Sequence, residues 1–199
     1  VKPPEEWEYS NKENVSVLPE WANDAVFYQI FPLGYFGAPT VNDQTAKMVP
    51  RLKQIRDHYK HFQELGIDAV YFSPLFESGT HGYDTFDYFE IDRRLGDVKL
   101  FKQIVKELHE IGIKVVLDGV FNHTGKGHFA FKDLQKNGAS DSEFANWYHV
   151  GVRRWDYEGW CDAKTGSSFS YDCWEGHPVL PRLNLDEPAV RNHIFDIAK

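Results

Sequence analysis

The chain has 199 residues, a net charge of −8, 42% hydrophobic and 26% charged residues. That length carries one domain with a sizeable core, and the composition is that of a soluble globular protein. The acidic balance and a pI near 5.6 argue against a nucleic-acid or anionic-membrane partner, both of which select a basic surface. No stretch approaches the ~20 apolar residues of a membrane span. The opening Val1-Lys2-Pro3-Pro4 shows no signal-peptide pattern, so a soluble protein, cytoplasmic or secreted, is expected. Aromatic residues reach 16%, which suits either large core side chains or surfaces that stack on sugar rings. Composition alone does not choose between them.

Residues 1–24 are polar and rich in Pro, Glu and Asn, as in a linker or the tail of a preceding domain; Trp7 and Trp21 are expected to pack on the folded segment C-terminal to them. Residues 25–31 read as a first strand, ended by Pro32, and 33–46 as a loop. A helix is expected over 50–65, where Leu52, Ile55, Tyr59, Phe62 and Leu65 form one face. Pro50 suits its first turn and Gly66 a left-handed end. Residues 69–73 form a second strand, closed by Pro74. The long loop 74–97 contains His81-Gly82-Tyr83-Asp84, and loops of that length are usually functional. A second helix over 98–110 has Asp97 as its N-cap and Leu100, Phe101, Ile104, Val105 and Leu108 along one side. The run Ile113 to Leu117, rich in β-branched residues, suits a strand buried on both faces. The pattern is βαβαβ with a parallel sheet. Three polar groups, Asp118, Asn122 and His123, come after the third strand, at the end that carries chemistry in α/β barrels. Taken singly, each has an ordinary structural explanation; the set at this spacing is more specific.

From 124 to 183 the periodicity fails, and Gly, Ser, Asp and aromatic residues dominate, with no clear helix. The stretch is too long for an ordinary βα loop. It holds both cysteines, Cys161 and Cys173. They are too few for a disulfide framework, lack the spacing of a zinc site, and can pair in an oxidising compartment. The segment closes with Leu180-Pro181-Arg182-Leu183-Asn184. Asp186-Glu187-Pro188 then opens a helix, with Val190, Ile194 and Ile197 on its apolar face, that reaches Lys199 without a cap.

Four landmarks in this order resemble the α-amylase family of glycoside hydrolases: Phe27-Tyr28-Gln29-Ile30-Phe31-Pro32, Gly82-Tyr83-Asp84, Asp118-Gly119-Val120-Phe121-Asn122-His123 and Leu180-Pro181-Arg182-Leu183-Asn184. The resemblance implies an α/β fold, the first part of a (β/α)8 TIM barrel with a small irregular β-containing insertion after strand 3. Residues 25–123 then form the first barrel units, 124–183 the inserted domain, and 184–199 the third barrel helix, cut at its C-terminus. Asn184 at the last motif position is typical of the neopullulanase and cyclomaltodextrin-hydrolase branch.

Members of this family are retaining glycosidases with a carboxylate nucleophile and a carboxylic general acid. The resemblance implies a fragment of an enzyme acting on α-glucosidic bonds of starch-like, maltooligosaccharide or cyclomaltodextrin substrates. In the family the nucleophile lies in a Gly-x-Arg-x-Asp pattern on the fourth strand, with the acid on the fifth and a third carboxylate on the seventh. No catalytic residue is therefore expected in this chain, and the chain alone is expected to be inactive. Gly151-Val152-Arg153-Arg154-Trp155-Asp156 imitates the nucleophile pattern, but it is one residue too long and no apolar strand precedes it. By the match, Tyr83 is the platform beneath the cleaved sugar and His123 hydrogen-bonds that sugar. Asp84 holds a substrate-contacting arginine further along, and Asp118 braces the floor of the site. Asn122 stands where many members ligate calcium, and an amide oxygen is a suitable hard ligand. Asp156, Asp162 and Asp172 are candidate partners in no order, and no organic cofactor is implied. The expected partners are an α-glucan and the missing C-terminal part of the same protein. The alternative is a non-catalytic carbohydrate-binding or assembly relative of the same fold, which loss of the nucleophile and acid positions would favour.

Overall fold

The computed structural model describes residues 19–151 and 169–199, and the backbone of 160–161. Strand β1 (Phe27–Ile30) ends at Pro32, which opens a single helical turn, α1 (Pro32–Tyr35), where a loop is expected from sequence. Proline fixes φ and lacks a donor, so it fits a first turn better than a continuing strand. The expected helix over 50–65 is split. Arg51–His58 is 3-10, and only Tyr59–Leu65 (α2) is α-helical, ending at Gly66 in the left-handed conformation. Leu52, Ile55 and Phe62 are fully buried as the spacing requires, but Leu65 is half-exposed. It lies in the last turn, where the helix leaves the core.

Strand β2 (Ala69–Phe72) pairs in parallel with β1. The segment 74–97, which reads as a loop, contains an antiparallel hairpin of β3 (Phe76–Ser78) and β4 (Thr85–Ile91) with irregular register. Its aromatic and β-branched content favours strand pairing, and its 79–84 tip carries the Gly-Tyr-Asp landmark. Helix α3 (Val98–Glu110) is capped as expected: the Asp97 carboxylate accepts from the Leu100 amide at 2.7 Å. Strand β5 (Lys114–Leu117) completes a three-stranded parallel sheet of order β1-β2-β5. Its apolar run predicts burial on both faces. Lys114 and Leu117 are instead exposed, and the middle residues are partly covered. The reason is position: β2 sits centrally and is buried, whereas β5 has a paired neighbour on one side only among the described residues.

Within 124–183 the structure adds a helix that sequence periodicity does not reveal, α4 (Phe129–Asn137). Two-residue strands β6 (Trp160–Cys161) and β7 (Tyr171–Asp172) pair antiparallel. Cys173 is disulfide-bonded, and Cys161 is the only other cysteine in the sequence. Helix α5 (Pro188–Ala198) starts with the Glu187 side chain capping Ala189 and Pro188 in its first turn, as the sequence indicates. Two hydrophobic clusters result among the described residues. One joins the sheet to the Arg51–His58 segment, α2 and α3 through Ile30, Leu52, Ile55, Phe62, Phe72, Ile104 and Leu108. The other gathers Phe131, Leu134, Tyr148, Tyr171, Leu183 and Val190 of α5. No helix among the described residues is long and apolar enough to cross a membrane.

The hairpin is anchored by a buried ion pair, Arg94–Asp92, at 2.7 Å. The guanidinium is engaged on all three nitrogens. Nε donates to Asp92 Oδ1, Nη1 to the carbonyls of Pro39 and Thr80, and Nη2 to Ser78 Oγ and Asp92 Oδ2. Arginine matches this fork and lysine does not. Arg94→Ala leaves Asp92 buried and unpaired and should lose about 3–5 kcal/mol of unfolding free energy, read by urea denaturation. Arg94→Lys should also destabilise clearly, and a wild-type midpoint for it would contradict this role.

Candidate functional site

The site is built where the hairpin tip meets the segment after β5. Gly82 sets the turn, with φ of 96°, and a Cβ there would lie 3.1 Å from the Pro74 carbonyl. Such a backbone is readily adopted only by glycine. The turn leaves Tyr83 exposed and Asp84 buried. Thr80 donates to Asp84 Oδ2 at 2.9 Å. His81 Nδ1 accepts from the Tyr83 amide at 3.2 Å, so its 3.7 Å approach to Asp84 Oδ1 is not a proton-sharing ion pair. Oδ1 is thus buried without a hydrogen-bond partner.

The facing wall is 122–125. Gly125 donates to the Thr85 carbonyl at 2.8 Å, and a Cβ at 125 would stand 2.3 Å from the Asp84 carbonyl oxygen. Only glycine permits this approach, which brings His123 to the hairpin tip. His123 is buried, with Nδ1 3.2 Å from the Asn122 amide nitrogen and Nε2 lacking a partner. Burial holds its pKa below the ordinary imidazole value; the Tyr83 backbone and Asp84 act against that, and His81 acts with it. The ring is therefore neutral near neutral pH. Trp174 covers it at a centroid distance of 5.8 Å and stacks in turn on His177. The next residue, Glu175, has φ of 48°, a left-handed backbone that costs a non-glycine residue roughly 1–2 kcal/mol. Sequence reasoning places Trp174 only among many aromatic residues of the insertion. Its neighbourhood depends on a long-range fold that local pattern does not encode.

The Leu180-Pro181-Arg182-Leu183-Asn184 stretch fixes that wall. His123 and Arg182 form an antiparallel bridge, Thr124 donates to the Pro181 carbonyl, and Leu183 to that of Asn122. Asn184 donates through its side chain to the Asn146 carbonyl at 2.9 Å and accepts from the Asp186 amide at 3.1 Å, steering the chain into α5. Asp118 is partly buried just past β5, where its carboxylate acts on the Tyr71 phenol of β2. Burial first, then the Asp118 carboxylate, raises the Tyr71 phenol to about 12, and Tyr83 adds to the effect. Tyr83, Asp84 and His123 meet at the hairpin tip, and Asp118 stands at the C-terminal end of β5 beside Tyr71.

Asn122 is exposed beside His123. Of the candidate calcium partners, Asp172 is engaged by Arg182 at 3.2 Å, and Asp156 and Asp162 lie outside the described residues. No group of three or more His, Cys, Asp or Glu arranged for a metal occurs among the described residues. One amide oxygen does not by itself fit calcium, which takes six to eight oxygens. The Gly151–Asp156 imitation of the nucleophile pattern lies outside the described residues beyond Gly151 itself.

The chain matches the model of the alpha amylase catalytic domain over residues 29–199. It belongs to the α-amylase family. A cyclomaltodextrinase of a Bacillus species is 36% identical over 98% of this chain and 36% of its own length. Neopullulanase 2 of Thermoactinomyces vulgaris is 36% identical over 98% of this chain and 34% of its own. Among solved structures, the cyclic alpha-maltosyl-(1→6)-maltose hydrolase of Arthrobacter globiformis, in complex with its cyclic sugar, superposes with a TM-score of 0.72 at 36% identity, covering 90% of this chain and 42% of that one. The chain thus spans about a third of the curated relatives' length and carries the N-terminal part of the α-amylase (β/α)8 barrel. The relatives belong to the branch that the motif ending in Asn184 indicates.

Behind His123, Thr124 Oγ1 and Tyr148 Oη lie 3.0 Å apart, and Tyr148 Oη lies 3.2 Å from His128 Nδ1. Burial, then the neighbouring His193, lowers His128 to about 3. A lowered imidazole pKa means that the unfolded chain binds a proton the folded chain refuses. Stability should therefore fall as pH drops from 6.5 toward 3, by up to about 1.4 kcal/mol per pH unit from this group, and be insensitive to it above pH 7. Urea denaturation across that range should give a shallower slope for His128→Asn; an unchanged slope would contradict the assignment.

Proposed function

We propose that the protein is a retaining glycoside hydrolase acting on α-glucosidic bonds of starch-like, maltooligosaccharide or cyclomaltodextrin substrates, and that this chain supplies part of the subsite for the sugar that is cleaved. One observation carries the reading. Asp84 Oδ1 and His123 Nε2 are both buried without partners on segments that meet at Gly125, with the exposed Tyr83 ring next to Asp84 at the hairpin tip. Orphaned buried polar atoms cost about 1–3 kcal/mol each and persist where function needs them. In this reading a sugar hydroxyl supplies the partner of His123, and Tyr83 stacks on the apolar face of the ring. An arginine from a later strand meets Asp84. Asp118, at the end of β5, braces the floor of the site.

Neither Asp84 nor Asp118 is proposed as nucleophile or acid, because each serves as a brace. The two catalytic carboxylates come from outside this chain, and residues 1–24, 25–123, 124–183 and 184–199 serve as linker or tail of a preceding domain, first barrel units, inserted domain and third barrel helix. Calcium at Asn122, with Asp156, Asp162 and Asp172 as unranked candidate partners, is a further proposal. The names of the relatives support the substrate class: cyclomaltodextrinase and neopullulanase among curated proteins, and a hydrolase seen with maltose.

In the intact protein, His123→Ala should lower kcat/KM on maltooligosaccharides by about 100-fold or more, as for loss of a hydrogen bond to a reacting sugar; an effect below about threefold would refute its role. Tyr83→Ala should chiefly raise KM, by about tenfold. The 199-residue chain alone should show no turnover, and reducing sugar released from maltotriose by the pure chain would contradict the placement of the carboxylates.

A further inference from the structure

A second concavity lies on the other side of the wall that carries His123. It has a volume of about 380 Å³ and is bounded by β4, α4 and α5, a size within the range of small-molecule pockets. Phe89 from β4 and Phe129 from α4 stand at its rim with 55% and 48% of their surface open. Both pack their rings against His193 of α5, at centroid distances of 5.9 and 5.6 Å. Asp87, Lys132 and Gln44 add hydrogen-bonding groups. Its charges cancel: Glu77 pairs with Arg93 at 2.6 Å, and Asp87 balances Lys132. Burial lowers the pKa of His128 and His193, so the imidazoles add no charge near neutral pH.

An anion or a cation would select a pocket of one sign. A neutral pocket with two open aromatic rings and several donors and acceptors selects a neutral ligand with one apolar face and many hydroxyls, which is the chemistry of a pyranose. Tyr88 joins this pocket to the first site. Its ring lines the pocket, and its buried hydroxyl lies 2.8 Å from the Val120 carbonyl and 3.0 Å from that of His123.

We propose that the Phe89–Phe129 pocket is an accessory binding site for a short α-glucan segment, separate from the Tyr83–His123 subsite and backed onto it through Tyr88. The inference rests on the glucan reading above and adds a second point of attachment. A chain held at the pocket stays near the cleavage site between events, which raises its effective concentration there.

The test is calorimetric titration of maltose into the intact protein and its variants. Wild type should show two classes of site. Tyr83→Ala should keep the pocket alone. Phe89→Ala and Phe129→Ala should keep the subsite alone, with binding at the pocket weaker by about tenfold or more. Phe89 is the cleaner probe, because Phe129 also packs against His128, Phe144 and Trp147; Phe89→Trp, which keeps a stacking face, should restore the second site. If Tyr83→Ala abolishes all maltose binding while Phe89→Ala binds as wild type does, the accessory site is refuted and the glucan reading stands. If no form binds maltose and the intact protein hydrolyses no maltooligosaccharide, the glucan reading fails and the inference with it.

Discussion

The buried Arg94–Asp92 pair is the constraint on which the site depends. A guanidinium with 5% of its side chain exposed has left water, a cost of several kcal/mol. That cost is met because each of its nitrogens finds acceptors, and the acceptors come from distant parts of the chain: the loop after α1, the hairpin tip and the end of β4. One charge thereby fixes the base of the hairpin. The tip can then hold an exposed Tyr83 and a half-satisfied Asp84 without collapsing onto them. A second set of bonds does the same for the facing wall, where Leu180 to Asn184 is laid along His123 and Thr124.

The barrel sheet and the inserted segment therefore act together on one residue. His123 belongs to the polar end of β5 by sequence. Its final position is set by Arg182 beside it, Gly125 behind it and Trp174 above it. The parallel sheet contributes direction, because the polar ends of β2 and β5 point the same way. The insertion contributes enclosure, and that enclosure keeps the imidazole neutral and one of its nitrogens unpartnered. A buried ring nitrogen without a partner is open to a hydrogen bond with a ligand.

Much of this is legible from sequence where the signal is local. Asp97 as a cap, Gly66 as a left-handed end, Glu187-Pro188 as a helix start and the three strands of the parallel sheet all come from short-range chemistry. Helix α4 escapes a local reading because its buried positions, Ala130, Phe131 and Leu134, are few and the helix is short and flanked by Gly and Ser; Gly138 just past its end is the signal that could mark it. The hairpin escapes because irregular register breaks the alternation by which strands are recognised. The exposure of Leu65 and β5 depends on what packs against them, which no local pattern states. At the site, the resemblance to the α-amylase family singles out Tyr83, Asp84, Asp118 and His123. Trp174 and the unpartnered ring nitrogen of His123 need the three-dimensional arrangement.

The most direct measurement is a crystal structure of the intact protein soaked with a maltooligosaccharide. The account predicts a glucose ring stacked on Tyr83 with one hydroxyl in hydrogen-bond distance of His123 Nε2 and an arginine from a later strand on Asp84 Oδ1. A sugar bound elsewhere, with Tyr83 and His123 free of it, would contradict the assignment of this site.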